Sequence, residues 1–183
     1  MAGTSNNYGV ATITLNNGTL TNSTSDSTGP ATTVKIVLGS LGGVISTAST
    51  TTLTVNGEIS GTGSLTIGSA GKTGTVLLSG ANTYSSGATT ISTGTLKLGA
   101  AGVITDSSAL TITGTLDING YSETVGSIAG AGTITSSSSG TLTLTAGSNN
   151  SSTTFSGIIP NGSATSVALT KQGTGTLTLS GAN

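Results

Sequence analysis

The chain ends on a nine-residue segment that it has already used 101 positions earlier. Residues 175–183 read GTLTLSGAN, and residues 74–82 read GTVLLSGAN. A second pair, residues 82–96 and residues 6–20, aligns without gaps at an offset of 76. Repetition on this scale is typical of a solenoid, whose units stack because none can bury its apolar face alone. We expect one continuous solenoid over residues 1–183, cut from a longer array, with repeat units at about 6–81 and 82–183.

Apolar residues are too few to fill a thick core. Hydrophobic residues make up 33% of the 183 residues, and aromatic residues make up 2%. Disorder would need strong self-repulsion, but four lysines against five acidic residues leave a net charge of only −1. The polar remainder is Gly, Ser, Thr and Asn, which occupy turns and ladders without burying charge. This composition permits a thin core between stacked strands.

Short runs alternate between apolar and polar residues with a period of two, as half-buried strands do. In each run Leu, Ile or Val points one way, and Thr, Lys or Asp points the other. Helix is disfavoured because β-branched residues prefer the pleat and Gly interrupts every helical window. The runs are residues 12–15, 52–55, 64–67, 95–98, 110–112, 115–118, 141–144 and 176–179.

Asn-Gly dipeptides stand between these runs and mark sharp corners, since both residues tolerate positive φ. Asn-Gly is also the strongest hairpin signal, so an antiparallel hairpin stack is the alternative fold. Against it, similar segments return at long offsets in the same orientation, which favours parallel strands stacked coil on coil with like residues above like. The four dipeptides are Asn17-Gly18, Asn56-Gly57, Asn119-Gly120 and Asn161-Gly162.

Residues 77–99, LLSGANTYSSGATTISTGTLKLG, resemble the autotransporter-associated β-strand repeat of passenger regions in bacterial surface and secreted proteins. The strand, the SGANTY corner and the returning strand of that family are all present. Residues 116–130 are similar to the same pattern, as are residues 155–159 leading to 169–171. The resemblance implies an all-β, right-handed parallel β-helix (β-solenoid) in a single stack of coils. It also implies an extracellular or bacterial cell-surface location.

Groups that carry chemistry are scarce. The chain has no His and no Cys, so nucleophilic catalysis and thiolate metal sites lack their usual side chains. A glycosidase needs two carboxyl groups facing each other. Asp106 and Asp117 are candidates for neighbours on adjacent coils, but we favour solvated surface residues. We predict that the chain is not an enzyme and has no catalytic, cofactor-binding or metal-binding residues. The carboxylates are Asp26, Glu58, Asp106, Asp117 and Glu123.

Two further patterns have structural interpretations. Gly-x-Gly at residues 61–63, 130–132 and 173–175 lacks the third Gly of a nucleotide loop and runs into strand alternation, which predicts strand-entry turns. Tyr8 and Tyr84 occupy the same place in the repeat, which favours packing at a corner over stacking on sugar rings.

Neither nucleic acid nor a bilayer suits this sequence as a partner. The chain has no Arg and four well-separated Lys, so it lacks a basic surface for phosphates. Its longest apolar stretch, residues 34–45, includes Lys35 and falls short of the roughly 20 residues of a spanning helix.

A rigid structural or adhesive rod is the function that this pattern favours. Solenoid ends without capping coils expose strand edges, which are templates for another chain. In sequence, Asn183 leads into Asn6-Asn7-Tyr8 of a second copy. We therefore expect head-to-tail stacking of the chain on itself into a fibre, as a surface scaffold, adhesin stalk or matrix element, with surface glycans or matrix components as further partners. The alternatives are an ice-binding solenoid, suggested by recurring Thr-x-Thr, and a carbohydrate-binding module.

Overall fold

The strands of this protein stack in parallel along one axis. The structure, a computed structural model, describes residues 12–22, 31–85 and 87–182. Within these ranges the regular elements are twenty β-strands without a helix, and every pairing between strands is parallel. The predicted β-solenoid is confirmed, with about 7 turns, and the hairpin alternative is wrong. Parallel crossovers are right-handed almost without exception, in agreement with the hand that the resemblance implies.

Each full coil passes three faces in the order face 1, face 2, face 3. Face 2 is the continuous one, with eight strands stacked in the order in which the chain makes them. They are β2 (Gly18–Asn22), β5 (Gly43–Thr47), β8 (Leu65–Ile67), β10 (Thr89–Ile91), β12 (Ala109–Ile112), β15 (Ser127–Gly130), β18 (Thr153–Phe155) and β20 (Leu177–Leu179).

Face 3 follows face 2 in each coil and holds six strands. They are β3 (Ala31–Thr32), β6 (Thr52–Val55), β9 (Thr75–Leu78), β11 (Thr95–Leu98), β13 (Thr115–Asp117) and β16 (Thr133–Thr135).

Face 1 is interrupted. It consists of two three-stranded sheets that occupy the same place in the coil order, and residues 82–85 and 102–105 lie between them. The first sheet is β1 (Ile13–Leu15), β4 (Ile36–Leu38) and β7 (Ile59–Gly61), and the second is β14 (Glu123–Val125), β17 (Thr141–Ala146) and β19 (Ser166–Lys171).

The strand register stacks like residues into columns. On face 2, Ile67, Ile91 and Ile112 are register partners on successive coils, and all three side chains are fully buried. Burying such a side chain stabilises the fold by about 1.5–3 kcal/mol, and the column repeats this gain at every rung. The thin core is therefore a stack of apolar columns along the axis.

Close stacking of the coils depends on a glycine column at the corner between faces 2 and 3. Register partners one coil apart are separated by 18 residues at Leu110 and Ile128 and by 25 residues at Leu144 and Leu169. Despite this variation, a Cβ added to any glycine of the column except the first would meet the carbonyl oxygen of the column glycine one coil before. The column therefore keeps the backbones of this corner in contact. Its members are Gly74, Gly94, Gly114, Gly132, Gly157 and Gly181.

All four Asn-Gly dipeptides lie at corners between faces, as predicted, and three of them include a residue with positive φ. Asn17 (φ 62°), Asn119 (φ 44°) and Gly162 (φ 63°) adopt the left-handed conformation. Gly57 does not, and it packs against the Val34 carbonyl instead. The Gly-x-Gly segments are strand-entry turns as predicted, since β8, β16 and β20 begin within two residues of them.

The two copies of the nine-residue segment lie on different faces. Residues 75–78 form β9 on face 3, whereas residues 177–179 of the later copy form β20 on face 2. Likewise residues 89–91 lie on face 2, and their sequence equivalents 13–15 lie on face 1. In both cases the copy near an end of the chain lies one face earlier in the coil order than the copy within residues 74–96. The division into units 6–81 and 82–183 stays a prediction.

Some predictions fall on Asn6, Asn7, Tyr8, Asp26 and Asn183, which lie outside the described residues. In the described ranges no helix is long and apolar enough to cross a membrane.

Candidate functional site

The carboxylates are not uniformly solvated. Asp106 is exposed, and Glu58 is partly exposed, as predicted. Asp117 and Glu123 are buried, at 6% and 3% exposure, so for these two the surface interpretation was wrong. Asp117 faces Lys97 and Thr135 in the strand register rather than Asp106.

Asp117 and Lys97 form a charged rung on face 3. They are register partners on β13 and β11, with Lys97 Nζ 3.6 Å from Asp117 Oδ2. The other carboxylate oxygen, Oδ1, accepts the backbone N–H of Asn119 at 2.9 Å and of Ser137 at 2.8 Å. Backbone donors compensate for burying this charge, so Asp117 fixes the Asn119-Gly120 corner.

Glu58 belongs to a surface ion pair. Its carboxylate lies 2.7 Å from Lys35 Nζ and accepts the Thr83 hydroxyl at 2.7 Å. The hydrogen bond from Lys35 lowers the pKa of Glu58 below its usual value. Exposed pairs of this kind contribute little to stability because water screens them.

At the break in face 1, the Asn82 side chain takes the place of a strand. Residues 82–85, which form the first coil of the break, still pair with β7, since Thr83 donates its N–H to Ile59 O at 2.8 Å. Asn82 Oδ1 accepts the N–H of Ile59 at 2.8 Å, and Nδ2 donates to Val103 O at 2.7 Å. One amide therefore joins three successive coils, with the acceptor and donor that a peptide group would supply.

Tyr84 lies on the inner side of the same break and is fully buried. Its hydroxyl bonds Thr89 Oγ1 at 2.9 Å, which in turn bonds Ser108 Oγ at 2.8 Å, and it also bonds the backbone of Thr105. Burial is the main cause that raises the pKa of Tyr84 to about 12, and the nearby carboxyl of Glu123 contributes to this shift. The predicted packing role is confirmed for Tyr84.

Glu123, on β14 in the coil after the break, binds the backbone of residues 102–105 from the other side. Its Oε2 accepts the N–H of Gly102 at 2.9 Å, and its Oε1 accepts that of Ile104 at 3.4 Å. Burial raises the pKa of Glu123 to about 7, although hydrogen bonds from Gly102, Ile104 and Val103 oppose that shift and the charge of Asp106 adds to it. Asn82, Tyr84 and Glu123 thus hold residues 102–105 from both sides.

This cluster is arranged as a structural replacement for strands. The polar atoms of Asn82 and Tyr84 and both Glu123 oxygens are engaged by backbone or hydroxyl groups. In the part of the chain that the structure describes, no three His, Cys, Asp or Glu side chains cluster as metal ligands would. What the arrangement does chemically is to supply hydrogen bonds where main-chain pairing stops.

The Thr residues form one ladder on face 3 rather than two. Thr52, Thr75, Thr95, Thr115 and Thr133 are register partners over five strands. The neighbouring column contains Thr54 and Thr135, but Leu77, Lys97 and Asp117 lie between them. A flat double ladder of the ice-binding kind is not formed on this face.

The roles of Asn82 and Glu123 were not predicted from the sequence. The signal for Asn82 was present, because it stands in the SGANTY corner. Glu123 lies in the similar segment 116–130, and the signal for its burial was its two-residue spacing from the apolar Val125.

A family model described as the passenger-associated-transport-repeat matches residues 73–98 and 169–183. Comparisons with curated proteins and with solved structures found no match. The first matched segment runs from β9 to β11 and contains Asn82 and Tyr84, and the second contains β20. The strand-replacing side chains of the earlier coil therefore lie within the matched repeat.

Proposed function

The chain carries repeats of the autotransporter-associated β-strand family, and on that premise we propose that it is a surface rod whose copies join end to end. A passenger-type structural repeat domain is what the repeat and the solenoid support, and the family suggests a cell-surface or extracellular location. The finer proposal is that a second copy stacks on the end coil to build a fibre, which serves as scaffold, adhesin stalk or matrix element.

The observation that carries this proposal is that open edges occur on the same two faces at both ends of the described stack. On face 1 the outermost strands are β1 and β19, and on face 2 they are β2 and β20. Each of these strands pairs with a described neighbour on one side. Unpaired edges of parallel sheets are templates for further strands.

Apolar side chains at the late end are less covered than their equivalents inside the stack. Leu179 on β20 is 46% exposed, whereas its register partner Phe155 on β18 is fully buried. Leu169 on β19 is partly exposed, whereas Leu144 on β17 is 1% exposed. A further coil would remove this apolar surface from water, which favours stacking.

The order of the faces is compatible with continued coiling. After β19 on face 1 and β20 on face 2, the next strands of the same faces are supplied in order by β1 and β2 of a second copy. The edges of both faces are thus met in one docking orientation, with parallel strands throughout.

Electron microscopy and analytical ultracentrifugation of the purified chain test the proposal. We expect filaments with an axial repeat of about 38 Å per copy, for eight rungs at ~4.8 Å each. Leu179→Lys places a charge on the open coil and should shorten or abolish the filaments. Leu41→Lys is the matched control, since Leu41 is 69% exposed at the corner between β4 and β5, inside the stack. Isolated rods at high concentration, or equal polymerisation of the two variants, would contradict the proposal.

A further inference from the structure

Residues 102–105 differ from every neighbouring segment of face 1 in how they are held. Within the described chain no strand pairs with them, while the coil before them bonds β7 through Thr83 N and Ser85 N. Their backbone groups depend on the Glu123 carboxylate, the Tyr84 hydroxyl and the Asn82 amide. The segment is docked by side chains, so a change in one side chain can release it.

We propose that residues 102–105 form a latch on face 1 whose opening is controlled by the proton on Glu123. With the proton bound, a neutral carboxyl is buried against the segment and the latch stays closed. When Glu123 is ionised, opening the segment lets water reach the carboxylate, which favours the open form. The latch lies in the middle of the rod and works whether or not copies join end to end.

The surroundings of Glu123 support this role. Among the described residues, the titratable groups that face Glu123 are Tyr84, from the coil before the latch, and Asp106, from the loop that follows the latch. Tyr84 stays neutral until far above neutral pH, and Asp106 adds a like charge. Neither group offsets the charge of an ionised Glu123. Among the described residues, the groups that compensate this charge in the closed latch are the backbone N–H groups of Gly102, Val103 and Ile104.

A second cost lies in the closed latch itself. Thr105 Oγ1 is buried and has no hydrogen-bond partner among the described residues. A buried polar atom without a partner destabilises the closed form relative to one in which water reaches it. The closed and open forms are therefore separated by less free energy here than in a main-chain ladder.

The sign of the pH effect follows from linkage. The pKa of Glu123 is about 7 in the closed form, against 4.5 for an unperturbed glutamate. The closed form binds the proton more tightly, so its stability is full below about pH 4.5 and is lost as the pH rises to about 7. Over that window the opening equilibrium should increase on the order of a hundredfold and then level off.

Hydrogen exchange of the whole chain measures the opening. The amides of Gly102 and Ile104 are followed from pH 4.5 to 8, each rate divided by its intrinsic rate at that pH, with β9 as internal reference. We expect their protection to fall on the order of a hundredfold by about pH 7 while that of β9 stays level. In Glu123→Gln, which cannot ionise, this pH dependence should vanish. The control variant Glu58→Gln, altered in a surface carboxylate, should behave as the wild type.

A measurement on the wild type alone covers the case in which Glu123→Gln does not fold. The side-chain carboxyl carbon of Glu123 should titrate near pH 7 by NMR, and the Gly102 amide resonance should move with the same midpoint. The latch is refuted if Glu123 titrates near its unperturbed pKa. It is equally refuted if protection at Gly102 does not change across the window, or if Glu123→Gln keeps the wild-type pH profile.

Discussion

Replacing Gly114 by Ala tests whether backbone contact in the glycine column holds the coils together. An ideal Cβ on Gly114 would lie 2.5 Å from Gly94 O and 3.1 Å from Ile91 Cγ2. Real Cβ atoms essentially never approach another atom within 3.0 Å, so the two coils must separate by about 0.5 Å at this corner. Gly94 O is also the acceptor for Thr115 N at 2.9 Å, so the separation strains the first bond of β13.

The expected cost follows from these contacts. Straining or losing the Thr115 hydrogen bond costs about 0.5–1.5 kcal/mol, and overpacking costs about 1–3 kcal/mol. Against this, Ala reduces the entropy of the unfolded chain and returns about 0.4–1 kcal/mol. The free energy of unfolding should fall by about 1–3 kcal/mol. For an m-value of about 2 kcal/mol/M, the urea midpoint would fall by about 1 M.

Gly18→Ala is the matched control. Gly18 and Gly114 both have φ outside the left-handed region, so neither substitution forces an unfavourable backbone conformation. The nearest atom to a Cβ on Gly18 is Leu15 Cδ2 at 3.8 Å, an ordinary contact. Gly18→Ala should therefore be neutral or slightly stabilising in circular dichroism followed during urea titration. Equal urea midpoints for the two variants would show that the column does not limit coil stacking.

Two further predictions concern the break in face 1. Asn82→Ala leaves the Ile59 N–H and the Val103 carbonyl without their partner. It should lower the free energy of unfolding, measured by urea titration, by about 2–4 kcal/mol. The control Asn161→Ala removes one exposed hydrogen bond to Val167 N and should cost less than about 1 kcal/mol, so a similar loss in both variants would refute the bridging role of Asn82. Tyr84→Phe should lower the free energy of unfolding by about 1–2 kcal/mol. Because Tyr84 binds its proton more tightly in the folded state, the wild type should lose stability between about pH 10 and 12, and Tyr84→Phe should remove this loss. Tyr121→Phe, at a residue 37% exposed, should leave both unchanged, and a pH slope that survives Tyr84→Phe would contradict the assignment.

Alternation predicted the strands whose two sides differ in polarity. Residues 52–55 and 141–144 lie in β6 and β17 because Leu or Val alternates with Thr there and the inward positions are buried. It missed β4, whose sequence Ile-Val-Leu is apolar on both sides. A period of two cannot be detected where inward and outward residues are alike.

The parallel arrangement was also available from the sequence, since segments returned in the same orientation. The face on which each copy lies was not. Coil length varies between 18 and 25 residues, and these differences accumulate along the chain until equal sequences lie on different faces. Register depends on the sum of all turns before a strand, which no local pattern reports.

Burial of Glu123 depends on contacts that are distant in sequence. Its two-residue spacing from Val125 places both on the inner side of β14, but a carboxylate is not expected there, and its donors come from the coil before. Asn82 was part of the corner motif that suggested the family, but its role required knowing that Ile59 and Val103 lie on either side of it. Side chains that replace a strand are recognisable only once the gap they fill is known.

The shift of the repeat copies by one face affects what a binding partner encounters. The corner after β9 stacks Gly80 on Gly57, whereas the corner after β20 stacks Gly181 on Gly157 in the glycine column. Ala81 and Ala182, which are exposed in the two copies, therefore lie at different corners of the rod, and a partner that binds both must approach it from two sides. Equivalent residues of successive copies thus face different directions around the rod axis, so a neighbouring surface in one orientation can contact only some of them.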